Sequence, residues 1–149
     1  MKKLYYAAHT YMIIGLVGGL YYRELTKLND FTGDSQLGLV HTHVLALGML
    51  FFLIVLALEK VFTLSAGRLF NAFFWTYNAG LALTVTVMTV RGTLTVLGHP
   101  TPAIAAHIAG GGHIALTVGL VFFFINLGKR IAGAPAAADL DARPQATGR

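Results

Sequence analysis

Four long apolar segments are the feature of this sequence that most constrains its fold. They cover about residues 4–22, 37–58, 69–97 and 103–128, and each reaches the roughly 20 residues that cross a hydrocarbon core about 30 Å thick. Charged residues make up only 11% of the 149-residue chain, whereas an average soluble domain carries roughly a quarter. The sequence therefore predicts an all-α protein, with a transmembrane four-helix bundle formed by residues 1–130.

The first apolar segment follows the basic start "MKK" and has two interpretations. A cleaved signal peptide ends at small residues in an Ala-x-Ala-like pattern, whereas this segment ends in "YYRE". We therefore expect a retained span. At the other end, residues 131–149 are rich in alanine, proline and glycine and have no apolar period, which predicts a disordered cytoplasmic tail.

The lysine and arginine residues predict the orientation in the membrane. With four spans, one side of the bilayer receives Lys2, Lys3, Lys60, Arg68, Lys129 and Arg130, and the other receives Arg23, Lys27 and Arg91. Because basic residues accumulate on the cytoplasmic side, both termini of this multi-pass protein are predicted to lie in the cytoplasm, with the chain in the plasma membrane. Such membrane anchors account for the net charge of +5, and no nucleic-acid partner is expected.

Histidines within the apolar segments are the strongest functional signal. The chain has no cysteine, so a bound metal must use histidine, methionine or oxygen ligands. At about 1.5 Å per residue, His41 and His43 lie roughly 7–10 Å inside the outer end of the second helix, His107 lies at a similar depth in the fourth, and His113 lies deeper. His41 and His43 differ by about 200° around a regular helix, so at most one of them faces the bundle interior.

Arg91 is the other unusual residue. It lies seven and fourteen residues after Thr84 and Tyr77, so the three share one helix face. An arginine inside the membrane is costly unless it has an acidic partner, and no aspartate or glutamate lies at its depth in helices two to four. A bound anion is therefore expected beside Arg91.

Together these residues predict a b-type haem, because facing helices of a bundle commonly hold haem between histidines. His43 and His113 are the preferred axial ligands of the iron, His41 and His107 are alternates, and Arg91 is expected near the propionates. The corresponding functions are electron transfer, gas sensing or haem handling. A copper or zinc site, a cofactor-free small transporter, and an assembly or interaction subunit stay open as alternatives.

The remaining expectations concern activity and partners. The predicted spans hold no activated nucleophile or proton-abstracting carboxylate, so an enzyme is not favoured. The lipid bilayer is the expected partner, and a homodimer or a larger respiratory complex stays open. Gly15, Gly18 and Gly19 in the first helix predict a groove for close helix packing.

Two resemblances add to this interpretation. The segments "YMIIGLVGGLYYRELTK", "LVHTHVLALGMLFFLIVLALEK", "TVRGTLTVLG" and "GGGHIALTVGL" resemble a family of small bacterial four-span membrane proteins known only as a domain of unknown function. The His-x-His that enters the second helix, followed by Gly48, resembles patterns in membrane haem proteins such as haem-copper oxidase and nitric oxide reductase catalytic subunits. That second resemblance implies haem near His41, His43, Arg91 and His113. Those enzymes have many more spans and ligands, so it does not imply oxygen or nitric oxide reduction.

Overall fold

The computed structural model describes residues 1–133, and regular structure in that part of the chain is entirely helical. Four long helices follow one another: α1 (Lys2–Leu28), α2 (Leu37–Phe62), α3 (Phe70–Val96) and α4 (Ile104–Ala132). The middle of α2, Val44–Leu50, is π-helical, with wider turns than the α-helical segments on either side. The all-α prediction is thus confirmed. The predicted tail lies outside the described residues from position 134 onward.

Three helices, α2, α3 and α4, are long and apolar enough to cross a membrane. Helix α1 has the same length as α3, but tyrosine, histidine, threonine and glycine interrupt its apolar residues, and it is not among the three. Large apolar side chains are exposed around the outside of the bundle, as at Trp75, Ile114 and Phe124. Such a surface is stable in lipid and costly in water, so this is a membrane protein.

Helices α1 and α2 pack side by side through the predicted glycine groove. The facing pairs are Gly15 with Leu45, Gly18 with Val40, and Gly19 with His41. In the opposite direction, Gly48 of α2 leaves room for the Tyr11 ring of α1, which a Cβ atom at position 48 would strike. Small residues on both helices allow the two backbones to approach closely. The glycines therefore bind a neighbouring helix of the same chain.

Helices α3 and α4 form the other close pair, and they meet at two glycines. A Cβ atom added at Gly80 would lie 2.6 Å from the backbone nitrogen of Leu116, and one added at Gly112 would strike Thr84 Oγ1. At the end of the bundle near the termini, aromatic side chains connect this pair to α2. Phe51 stacks on Tyr77 with ring centroids 4.5 Å apart, and Phe123 of α4 completes the group.

The opposite half of the bundle is open between α2 and α4. Both helices are described throughout their length, and no Cα atom of residues 37–50 lies within 8 Å of one in α4. Helix α3 joins the two: Leu37 packs on Gly92, and Ser35 Oγ donates a hydrogen bond to the Gly92 carbonyl at 2.9 Å. Helices α2 and α4 therefore make no direct contact in this half, and α3 lies between them; the space beside α3 that separates α2 from α4 is called the cleft below.

Candidate functional site

His43 and His113 are held by the same local hydrogen bond. The Nδ1 of His43 lies 2.9 Å from the Leu39 carbonyl oxygen, and the Nδ1 of His113 lies 2.9 Å from that of Ala109. A carbonyl oxygen only accepts, so in both imidazoles Nδ1 carries the proton and donates. The Nε2 atom of each ring is left with a lone pair. This arrangement, with one nitrogen bound to a carbonyl and the other free, is typical of metal-ligating histidines.

The two histidines also lie at one level of the bundle. The Leu47 carbonyl accepts a hydrogen bond from the Tyr77 hydroxyl at 2.9 Å, and Leu37 packs on Gly92, so His43 falls between these levels, near Thr84. Thr84 in turn lies against Gly112, the residue before His113. His43 and His113 are therefore within about one helical turn of each other along the bundle. The depth mismatch that residue counting from the helix ends implies is small in the folded chain.

His43 lies on the side of α2 that faces the cleft. Around α3, the helices follow the order α1, α2, α4: α3 contacts α1 through Asn78 and α4 through Gly80, and α2 lies between α1 and α4. His41 packs against Gly19 of α1, and His43 points about 200° away from it, hence away from α1 and toward the α4 side. The ring of His43 is half-buried there.

His113 lies on the flank of α4 that faces α2. It precedes Leu120 and Leu127 by seven and fourteen residues and so shares their side of the helix. Both leucines are packed against the core, whereas His113 is exposed, because the bundle opens at its level. Gly110, one turn earlier, has open space around it. The site is thus a cleft with an imidazole on each wall and a small residue beside one of them.

Two polar atoms of α3, Thr84 Oγ1 and Arg91 Nε, are buried and have no hydrogen-bond partner among residues 1–133. Thr84 is 1% exposed and lies at the level of the two histidines. Arg91 lies seven residues further along α3, or about 10 Å toward the open end. It borders a cavity of about 230 Å³ between α3 and α4, lined by Ile104 and Ile108 among others. These two isoleucines lie about 180° and 140° around α4 from His113, so the cavity is on the other flank of the α3–α4 pair from the cleft. A buried guanidinium nitrogen with no partner favours a bound anion.

The other histidines do not join this group. His41 packs against α1, with Nδ1 buried and unpartnered and Nε2 3.3 Å from Thr42 Oγ1. His107 is exposed, six residues before His113 and therefore on another side of α4. His99 is exposed in the loop before α4, and His9 stacks on Tyr5 in the opposite half of the bundle. Neither alternate ligand lies in the cleft beside His43 and His113.

The donor set distinguishes among metals. Among residues 1–133, no group of three or more histidine, cysteine, aspartate or glutamate side chains is arranged to hold a metal ion. A zinc ion usually needs at least three protein ligands, whereas a haem iron takes four nitrogens from its own macrocycle and needs only one or two from the protein. Two imidazoles across an open cleft therefore fit haem better than a bare ion.

Two features of this region were not predicted from the sequence: the π-helical segment of α2 and the Thr84 hydroxyl without a hydrogen-bond partner among residues 1–133.

Comparison with known proteins identifies the family and no activity. A family model described as a protein of unknown function (DUF2871) matches residues 1–130. No curated protein and no solved structure matches the chain. The resemblance to a family known only as a domain of unknown function is thereby confirmed.

Proposed function

We propose that this chain, which belongs to the DUF2871 family of proteins of unknown function, binds b-type haem between His43 and His113 in the membrane. The observation that carries this proposal is the matched pair of hydrogen bonds that leaves Nε2 free on both imidazoles. The open cleft between α2 and α4 supports it, because imidazoles from two helices reach one iron only where the helices stand apart.

The exposure of His113 in an apolar helix supports the same proposal. His113 lies about 14 Å from the start of α4, exposed in an otherwise apolar span, where an uncovered imidazole is unfavourable in lipid. A haem seated against Gly110 would cover it. Arg91 would supply positive charge for the propionates, since its buried Nε has no hydrogen-bond partner among residues 1–133.

The chain's own residues would orient the cofactor and exclude water. The Leu39 and Ala109 carbonyls fix the tautomer and ring orientation of the two ligands, which raises their basicity as donors. Apolar side chains on both walls keep the surroundings of low polarity, and burial of this kind adjusts the reduction potential. When bound, the haem supplies one-electron chemistry, which suits electron transfer, gas sensing or haem handling.

We also propose four membrane spans, with α1 as the fourth. Helix α1 packs along α2 from Tyr11 to Gly19, and α2 is itself apolar enough to span, so the two occupy the same depth. The exposed side of α1 is apolar at Leu16, Val17 and Leu20. The basic ends favour both termini in the cytoplasm. A cysteine introduced at Asn29 should react with an impermeant reagent only from outside the cell, and labelling only from the cytoplasm would reverse this orientation.

The test of haem binding is the reduced-minus-oxidised visible spectrum of the full chain, purified in detergent after expression with ample haem. His43→Ala and His113→Ala should each abolish or shift the bands. His107→Ala and His99→Ala are matched controls and should leave them unchanged. A colourless wild-type protein without a pyridine haemochrome would exclude haem. Unchanged spectra in both ligand variants would reject the ligand assignment.

A second pair of variants tests the cleft itself. Gly110 and Gly111 both have open space around them, but Gly110 lies one turn before His113, whereas Gly111 points to the other side of α4. Gly110→Leu should therefore lose most of the bound haem while the protein stays folded. Gly111→Leu should keep it. Equal haem content in the two variants would place the cofactor elsewhere.

A further inference from the structure

A basic cavity lies at the other end of the bundle, where α2 gives way to α3. It has a volume of about 270 Å³, and Arg68, Lys129 and Arg130 line it. Arg68 precedes α3, and the other two lie in the last turn of α4. The first turn of α3 has no side-chain cap, although the Phe70 N–H donates to the Gly67 carbonyl, and this end of the helix adds positive potential beside the cavity.

These cations have no carboxylate partner in the part of the chain that the structure describes. The ion pair found among residues 1–133 joins Arg23 to Glu24 at the opposite end. Glu59, the acidic residue nearest this end, is 5% exposed, and its carboxylate accepts hydrogen bonds from the Ser65 backbone and hydroxyl. Three like charges around one cavity repel each other, so a bound anion would stabilise them.

The cavity is held in place by a buried amide. Asn126 is 3% exposed, and its Nδ2 donates a hydrogen bond of 2.9 Å to the Leu64 carbonyl. A Cβ atom at Gly67 would strike the Asn126 Oδ1, so glycine is needed there. Arg130 Nε donates to the Phe62 carbonyl at 3.0 Å, which leaves its terminal nitrogens free for a ligand. The last turn of α4 is thus fixed against the α2–α3 connection.

The surroundings indicate which anion. Helices α3 and α4, whose ends border the cavity, are apolar enough to cross a membrane, and Val61, Phe124 and Ile131 expose apolar side chains at the same end of the bundle. The cavity therefore lies at the level where lipid chains meet headgroups. Basic pockets between membrane helices recognise phosphate headgroups by charge. We infer that this cavity binds the phosphate group of an anionic phospholipid, independently of any haem in the opposite half of the bundle.

Native mass spectrometry of the full chain in a non-ionic detergent tests this inference, with phosphatidylglycerol or phosphatidylcholine added at equal concentration. Wild-type protein should retain phosphatidylglycerol preferentially. Arg68→Gln with Lys129→Gln should weaken that binding about 30-fold, whereas the charge-preserving pair Arg68→Lys with Lys129→Arg should keep it. The matched control is Arg23→Gln with Lys27→Gln, which removes two exposed cations at the other end of the bundle.

Three outcomes would overturn the inference. Equal retention of the two lipids would show that the protein does not prefer the anionic headgroup. An equal loss of phosphatidylglycerol binding in the cavity and control variants would attribute the binding to general surface charge. Displacement of phosphatidylglycerol by the same concentration of inorganic phosphate would assign the cavity to a soluble anion. Gel filtration of every variant ensures that the comparison uses folded protein.

Discussion

Replacing Gly80 with alanine should push α3 and α4 apart at their closest contact, beside the cleft. The added Cβ would lie 2.6 Å from Leu116 N and 2.9 Å from the Gly112 oxygen, and both are backbone atoms that no side-chain rotation relieves. Ordinary van der Waals contact begins near 3.4 Å, so α4 must move by about 0.8 Å. Overpacking of this kind costs about 1–3 kcal/mol, offset by up to about 1 kcal/mol of helix propensity.

The expected net result is a loss of about 0–2 kcal/mol in the free energy of unfolding, which is about 1–3 kcal/mol relative to a glycine-to-alanine change that gains helix propensity without overpacking. Reversible unfolding of the purified protein in mixed micelles of rising SDS content measures it. Gly111→Ala is the matched control, since a Cβ atom there meets nothing within 4 Å, and it should be neutral or slightly stabilising. If Gly80→Ala proves as stable as Gly111→Ala, the close approach of α3 and α4 described above is wrong.

Two further substitutions test single interactions. Arg91→Leu should accelerate haem transfer to apomyoglobin by roughly 10- to 100-fold, because a charged hydrogen-bond donor to the propionates is lost; an unchanged transfer rate would separate Arg91 from the cofactor. Asn126→Ala should lower the free energy of unfolding by about 1–3 kcal/mol, since the Leu64 carbonyl loses its buried partner. Asn29→Ala removes a hydrogen bond of the same type at an exposed site and should cost less; equal losses would argue against burial as the cause.

The helices themselves could be predicted from composition and segment length, because an apolar run of about 20 residues has few stable alternatives in lipid. The expected ends were less accurate. Helix α1 continues to Leu28, six residues beyond the predicted 4–22 segment, so the polar residues that follow Tyr22 do not end the helix. Segment length and hydropathy predict that a helix forms in an apolar environment. They do not predict the residue at which it ends, because that depends on local hydrogen bonds.

The face of α3 that carries Tyr77, Thr84 and Arg91 was also predictable, since seven-residue spacing fixes a common side. Tyr77 and Thr84 are each 1% exposed, and Arg91 Nε is buried. The seven-residue spacing does not predict which helix each of these side chains contacts. That depends on which helix lies on which side, and sequence periodicity carries no information about it.

The His-Thr-His at the start of α2 illustrates the same limit. Helical geometry requires that the two imidazoles diverge, but it does not say which of them faces a partner. The packing of α1 answers the question, because Gly19 lies beside His41 and the imidazole of His43 then points away from α1, on the α4 side. The π-helical turns that begin at Val44, directly after His43, then carry the Leu47 carbonyl to the Tyr77 hydroxyl. Wide turns of this kind occur often at functional sites, and here they join the wall of the cleft that holds His43 to α3. The two histidines of the motif are thus distinguished by their neighbours: His41 lies against α1, and His43 directly precedes the irregular turns that contact α3.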